Sequence, residues 1–193
     1  MKLHQLKALS LIPDAISLKR NDCEDRVGHI YFFEDIAFST NGHIALSIPH
    51  RLAVLDRPIG IHATAVMSFL KGFSKSQLEL SDLEIRKKSG DVYTLAIEFE
   101  SLDVEVIAPP QRLAEPVRSN TKLTPLAQEG QLFNWEYMAR VEKAVAVAAG
   151  IPPKLATSHL VYTFCDRRCV MAAEVEHGTV YGIVLGISQP KRK

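Results

Sequence analysis

The sequence of 193 residues predicts an α+β fold in which antiparallel meanders are covered on one face by helices. Segments of helical period alternate with groups of short strand-like runs, and the order helix-then-meander recurs, starting near residues 3, 61 and 133. The recurrence is one of element order rather than residue identity. Composition agrees: 47% hydrophobic and 23% charged residues describe a folded globular chain. A chain of this length buries roughly two-thirds of its unfolded surface, so it needs no disulfide or metal to hold it together.

The elements follow from local patterns. In residues 3–18, Leu3, Leu6, Leu9 and Ile16 recur at helical spacing, with Pro13 forcing a break. Runs 28–33, 35–40 and 43–48 read as strands. The last two are joined by Thr40-Asn41-Gly42-His43, since Asn-Gly tolerates the positive φ that tight hairpins need. In residues 61–74, Ile61, Ala65, Val66, Phe69, Leu70 and Phe73 form one helix face. Residues 77–81, 83–88, 92–99 and 104–109 read as strands separated by Ser-Asp, Ser-Gly-Asp and Ser-Leu-Asp turns. Residues 111–131, with Pro116, Pro125 and Gly130, carry no period and read as a linker. Asn134 stands as an N-cap before the helix 135–149, which Gly150 ends, and strands at 159–165, 169–176 and 179–187 close the chain.

Charge is segregated. Residues 1–20 and 60–75 carry Lys2, Lys7, Lys19, Arg20, Lys71 and Lys75 against Asp14 alone, a net of +5, whereas the remainder carries −4. Basic helices and acidic strand regions suit contact with phosphates without general stickiness. The other reading is an ordinary solvated helix surface, and composition does not choose between them. Arg140 and Lys143 extend the basic set to the third helix, diluted there by Glu136 and Glu142.

Other chemistry finds little support. There is no Walker loop, no G-x-G-x-x-G and no G-x-S-x-G, and the seven histidines form no metal-ligand spacing. Cys165 and Cys169 flank Asp-Arg-Arg; without a second paired motif they read as strand residues around a turn rather than zinc ligands. Trp135 and Tyr137 suit either stacking on a partner or packing of their helix. The N-terminal run lacks the continuous apolar core of a signal peptide, and no window reaches the roughly 18 apolar residues of a membrane span. The expectation is a cytoplasmic binding protein with no cofactor, no metal, no membrane contact and no catalytic centre.

The run Ile36–Leu46 resembles the strand–turn–strand segment of the bacterial DNA polymerase III beta subunit, the sliding clamp, whose turn reads Thr-Asp-Gly-His-Arg with a leucine after it. Thr40, Gly42, His43 and Leu46 fit, while Asn41 replaces the aspartate and Ile44 the arginine. Phe133, Asn134 and Tyr137 likewise resemble the Phe-Asn-x-x-Tyr that opens the clamp's last helix. Short clamp-like proteins of phages and prophages look similar.

The resemblance implies a DNA-clamp-like fold with helices toward a DNA hole and sheets outward. Residues 1–109 would then form a complete domain of two helix-plus-meander units, and residues 110–193 a truncated second one. It further implies double-stranded DNA as partner, held without base readout through Lys2, Lys7, Lys19, Arg20, Lys71, Lys75, Arg140 and Lys143. Replication proteins are implied as further partners at a peptide pocket around Thr40, Gly42, His43 and Leu46, together with homo-oligomers. The arginine missing at Ile44 belongs to that pocket's wall in the family, and the end of this sequence, GISQPKRK, lacks the family's Met-Pro-Met-Arg-type terminus. The alternative is an interaction or regulatory module that keeps the fold without a DNA ring.

Overall fold

A computed structural model describes residues 1–14, 27–52, 55–98, 100–110, 113, 132–165 and 167–186. The chain opens with helix α1 (Leu3–Ser10) and a first meander, β1 (His29–Phe32), β2 (Ile36–Thr40) and β3 (Ile44–Pro49). A second unit follows: β4 (Ile59–His62), α2 (Ala63–Leu70), α3 (Lys75–Leu80), β5 (Glu84–Ser89), β6 (Val92–Ala96) and β7 (Ser101–Ile107). The third comprises α4 (Trp135–Ala148), a 3-10 turn (Pro153–Leu155), α5 (Ala156–His159), β8 (Val161–Cys165), β9 (Arg168–Val175) and β10 (Gly178–Leu185).

The described strands join one sheet of ten, in the order β5-β6-β7-β4-β1-β2-β3-β10-β9-β8. Each neighbouring pair is antiparallel, so the α+β class read from the sequence holds. The first meander is central. The second unit extends it through β1–β4 and the third through β3–β10.

Side-chain alternation sets the core. Ile44, Leu46 and Ile48 on β3, Ile59 and Ile61 on β4, and Val180 and Val184 on β10 point to the helix side and join Leu3, Leu6 and Leu9 of α1 and Val141 and Val145 of α4 in one buried cluster. On the opposite face Tyr31 and Phe38 are buried with Ile36, Ile107 and Leu113 packed around them.

Three local readings are corrected. The helix expected from residue 61 begins two residues later. Ile61, like Ile59, is a β-branched strand residue paired with β1, and His62 caps α2 by accepting the Thr64 N–H. The strand expected at 77–81 is helical. Ser74 Oγ accepts the Gln77 N–H at 3.4 Å and Gln77 Oε1 accepts the Ser74 N–H at 2.8 Å, a capping box that starts α3 and outweighs the alternating Leu78 and Leu80. The first helix stops at Ser10, short of Pro13, which disfavours helical conformation in the residue before it.

The third unit is seated at one glycine. A Cβ on Gly182 would lie 2.4 Å from Val141 Cγ1 and 2.5 Å from Val145 Cγ2, so α4 touches the bare backbone of β10. Gly60 plays the same part on the other face, where a Cβ would lie 2.6 Å from Tyr31 Cε1. In an open strand, Gly→Ala gains roughly 0.5–1 kcal/mol. Gly182→Ala is expected instead to lower unfolding free energy by about 1–3 kcal/mol, by overpacking. Urea denaturation of Gly182→Ala, Val141→Ala and the double variant checks this: the double variant should be more stable than the sum of the single losses.

Candidate nucleic-acid interface

Helices α2, α1 and α4 lie on one face of the sheet, with α1 packed against α2, α3 and α4. The residues just past the end of α1 and the first turn of α4 meet the same hairpin, through Asp14 and Tyr137, so the two helices run antiparallel. Their inward faces are apolar, which leaves the polar faces of both outward.

Lys7 on α1, Lys71 at the C-cap of α2 and Lys143 on α4 are exposed, and Arg140 is half-buried one turn before Lys143. None of these four makes an ion pair with the described residues. Lys75, 90% exposed, lies 3.8 Å from Glu79 on its own helix. Lys2 is held differently: its Nζ donates to Asp82 at 2.7 Å and to the Leu80 carbonyl at 3.2 Å. Met1 O accepts the Leu83 N–H and Ser81 O the Leu3 N–H, so the first residues run along 81–83, and Lys2 secures that junction with its charge already balanced. Lys19 and Arg20 lie outside the described residues. On α4, Glu142 accepts the Tyr162 hydroxyl at 2.9 Å. Burial, with the same carboxylate adding to it, pushes the Tyr162 phenol up to about 12. Glu136 is exposed at the first turn of α4, where a negative charge suits the helix N-terminus.

The hairpin residues separate into different roles. Thr40 Oγ1 donates to the Ile44 carbonyl at 2.8 Å and accepts the Gly42 N–H at 3.0 Å. Asn41 Oδ1 accepts the N–H groups of His43 and Ile44, each at 2.9 Å, while its Nδ2 donates to Asp14 at 2.9 Å. Gly42 alone in this turn has a positive φ, +90°. Asn41 therefore makes the turn through its side chain, not by adopting a left-handed backbone. Leu46, 0% exposed, belongs to the core beneath the helices. His43 is the outward member, and its ring stacks on Tyr137 with centroids 5.6 Å apart and planes 16° apart. The two short motifs thus meet, and Tyr137 serves packing. Trp135, two residues earlier, is 77% exposed. Helical position does not distinguish it from Tyr137, since both stand in the first turn; the Phe-Asn-x-x-Tyr resemblance singles out Tyr137, and the hairpin's position decides which ring is covered.

At the end of β2, β3 and β10 away from the hairpin turn lies a cleft lined by Asp35, Ser47, His50, Arg51, His177 and Tyr181. His50 is buried there, and its Nδ1 accepts the Leu52 N–H at 3.2 Å. Burial lowers its pKa to about 4; the N-terminal ammonium adds to the shift, and Asp35 opposes it. Burial lowers His4 as well.

No family model and no curated protein matches the sequence. Solved structures do resemble the fold. A DNA polymerase III beta subunit from Thermotoga maritima aligns with TM-score 0.55 at 9% identity, over 98% of this chain and 64% of that one. One from Eubacterium rectale aligns with TM-score 0.53 at 8% identity, over 99% and 64%. The A. fulgidus PCNA, in a structure with the C-terminal region of FEN-1 bound, aligns with TM-score 0.50 at 12% identity, over 99% and 98%. The fold is DNA-clamp-like. The chain spans 64% of the length of these bacterial clamp subunits and nearly the whole length of the PCNA chain.

The buried His50 makes stability depend on pH. An unfolded His50 takes up its proton near 6.5, whereas the folded one resists until about 4, so the unfolded state binds more protons between these values. The contribution is fully present above pH 6.5 and is lost as pH falls toward 4, up to about 3 kcal/mol. Thermal melts between pH 7 and 4.5 should show this loss, and His50→Gln should remove most of the slope.

Proposed function

We propose that this chain is a clamp-like DNA-binding protein, of the short phage or prophage type, that tracks or encircles duplex DNA through its helix layer and catalyses nothing. The observation that carries this reading is the clamp-like fold with Lys7, Lys71, Arg140 and Lys143 free of ion pairs among the described residues on the helix-bearing side. Flexible cations of this kind meet phosphates and displace counterions, and they do not read bases. Lys75, Lys19 and Arg20 complete the proposed contact set. Lys2 contributes by holding the start of α1 in place.

The same proposal takes residues 1–109 as a complete clamp-like domain and 110–193 as a shortened second, joined by β3–β10 pairing and the α1–α4 contact. It places the protein in the cytoplasm, self-associated, among replication proteins. A second reading, an interaction module without a DNA ring, is favoured by one observation: the exposed Trp135 beside the hairpin, a large aromatic of the sort that anchors partners. The FEN-1 segment on the A. fulgidus PCNA supports a peptide ligand in that reading.

Fluorescence anisotropy with short duplexes of unrelated sequence tests the first reading. With each of the seven cations neutralising about one phosphate, log affinity should fall against log salt with a slope of roughly −6, equally for all sequences. Lys7→Glu with Lys143→Glu should abolish retention while sparing a protein partner's complex. A flat salt profile, or no binding at low salt, overturns the DNA reading and leaves the interaction module.

A further inference from the structure

Three aromatic residues stand at the start of α4, and two of them are committed. Phe133 packs against Phe164 with ring centroids 5.7 Å apart, and Tyr137 stacks on His43. Trp135 makes no ring contact among the described residues and is 77% exposed, whereas tryptophan is on average a highly buried residue. Its place is fixed all the same. Asn134 Oδ1 accepts the N–H groups of Glu136 and Tyr137, at 2.9 Å and 3.4 Å, so the turn that presents the indole is held by its cap. Four-residue steps along α4 lead from Trp135 to Ala139 and then Lys143, all three exposed and on one side of the helix. The small Ala139 leaves the space between indole and ammonium open, over roughly 12 Å of helix axis. Of the acids on α4, Glu142 accepts the Tyr162 hydroxyl, and Glu136 lies toward Arg140, four residues on.

We infer that Trp135 is a base-stacking platform which, with Lys143, gives the helix layer a second ligand: single-stranded DNA, held by stacking as well as by charge. The inference rests on the DNA reading of that layer and adds a form of DNA to it. Each base inside a duplex has both faces covered by its neighbours, so an exposed indole finds a free face only where the strand is single. One base then rests on the indole while a phosphate further along the strand meets Lys143. Neither contact reads the identity of the base, since every base has a π-face. Nucleic acid is the occupant because the exposed stripe runs from the indole into a small side chain and a cation without an ion pair among the described residues. An apolar protein partner would meet that ammonium where the core of an interface is depleted of charge. The capped first turn holds the indole ready, so stacking orders little that is not already ordered.

Trp135 is the only tryptophan in the chain, so its emission reports on the site without a label. Titrating the full chain at low salt with single-stranded oligo(dT) of about a dozen nucleotides should quench that emission. An abasic oligonucleotide of the same length, with phosphates but no bases, should bind at least about fivefold more weakly and leave the emission nearly unchanged. Trp135→Ala, at a position too exposed to disturb folding, should keep its melting temperature and bind both oligonucleotides equally, as read by anisotropy of a labelled strand. Trp135→Phe should restore part of the difference. A long duplex, whose ends are few, should bind the wild type and Trp135→Ala alike. Salt-dependent duplex binding without quenching by oligo(dT), equal binding of the two oligonucleotides by the wild type, or an equal loss of duplex and oligo(dT) in Trp135→Ala overturns this inference and leaves the DNA reading standing. No retention of either form of DNA at low salt overturns both and returns the indole to the interaction module.

Discussion

The close seat of α4 on β10 at Gly182 is the contact on which the arrangement of the third unit depends. Without a side chain at that position, Val141 and Val145 reach the strand backbone, and β10 can lie against β3 with α4 beside α1. One glycine thereby links the sheet extension, the helix layer and the position of Arg140 and Lys143. A protein interior packed at crystal-like density does not absorb an extra methyl there without moving the helix. With this seat holding α4 against the sheet, Lys143 is left exposed on the helix layer, as Lys7 is.

The hairpin shows how a short motif is divided among separate physical jobs. Thr40 and Asn41 satisfy backbone groups, Gly42 supplies the positive φ, Leu46 fills the core, and His43 is left to meet Tyr137. Within this run Thr40, Asn41 and Gly42 make the turn, and one aromatic stack joins the hairpin to α4. The turn is tied a second time, by Asn41 to Asp14, so the end of α1, the hairpin and the start of α4 form one connected polar and aromatic corner.

Charge works at several scales in this molecule. Acid–base pairs on the second unit, such as Lys87–Asp56 with the Tyr93 hydroxyl on the same carboxylate, are local and leave no net field. Exposed pairs of this kind add little stability. Lys7, Lys71, Arg140 and Lys143 have no such partner among the described residues, and Lys75 has only Glu79 on its own helix. Lys2 belongs to the first group although the sequence lists it beside the second. Only its contact with Asp82, eighty residues away, separates it from Lys7.

The amino-acid sequence alone determined the α+β class, the meander hairpins, the capped helix from Asn134 and the basic bias of the helical segments, because each depends on residues within a turn or two of one another. It misread 77–81, where apolar alternation and a capping box compete and the box prevailed. It had no signal for β4, a short strand running straight into a helix of similar composition. Tertiary structure alone decided the strand order, the burial of Leu46, the pairing of Lys2 and the exposure of Trp135. Those outcomes depend on which distant segments share a surface, and local propensity carries no information about that.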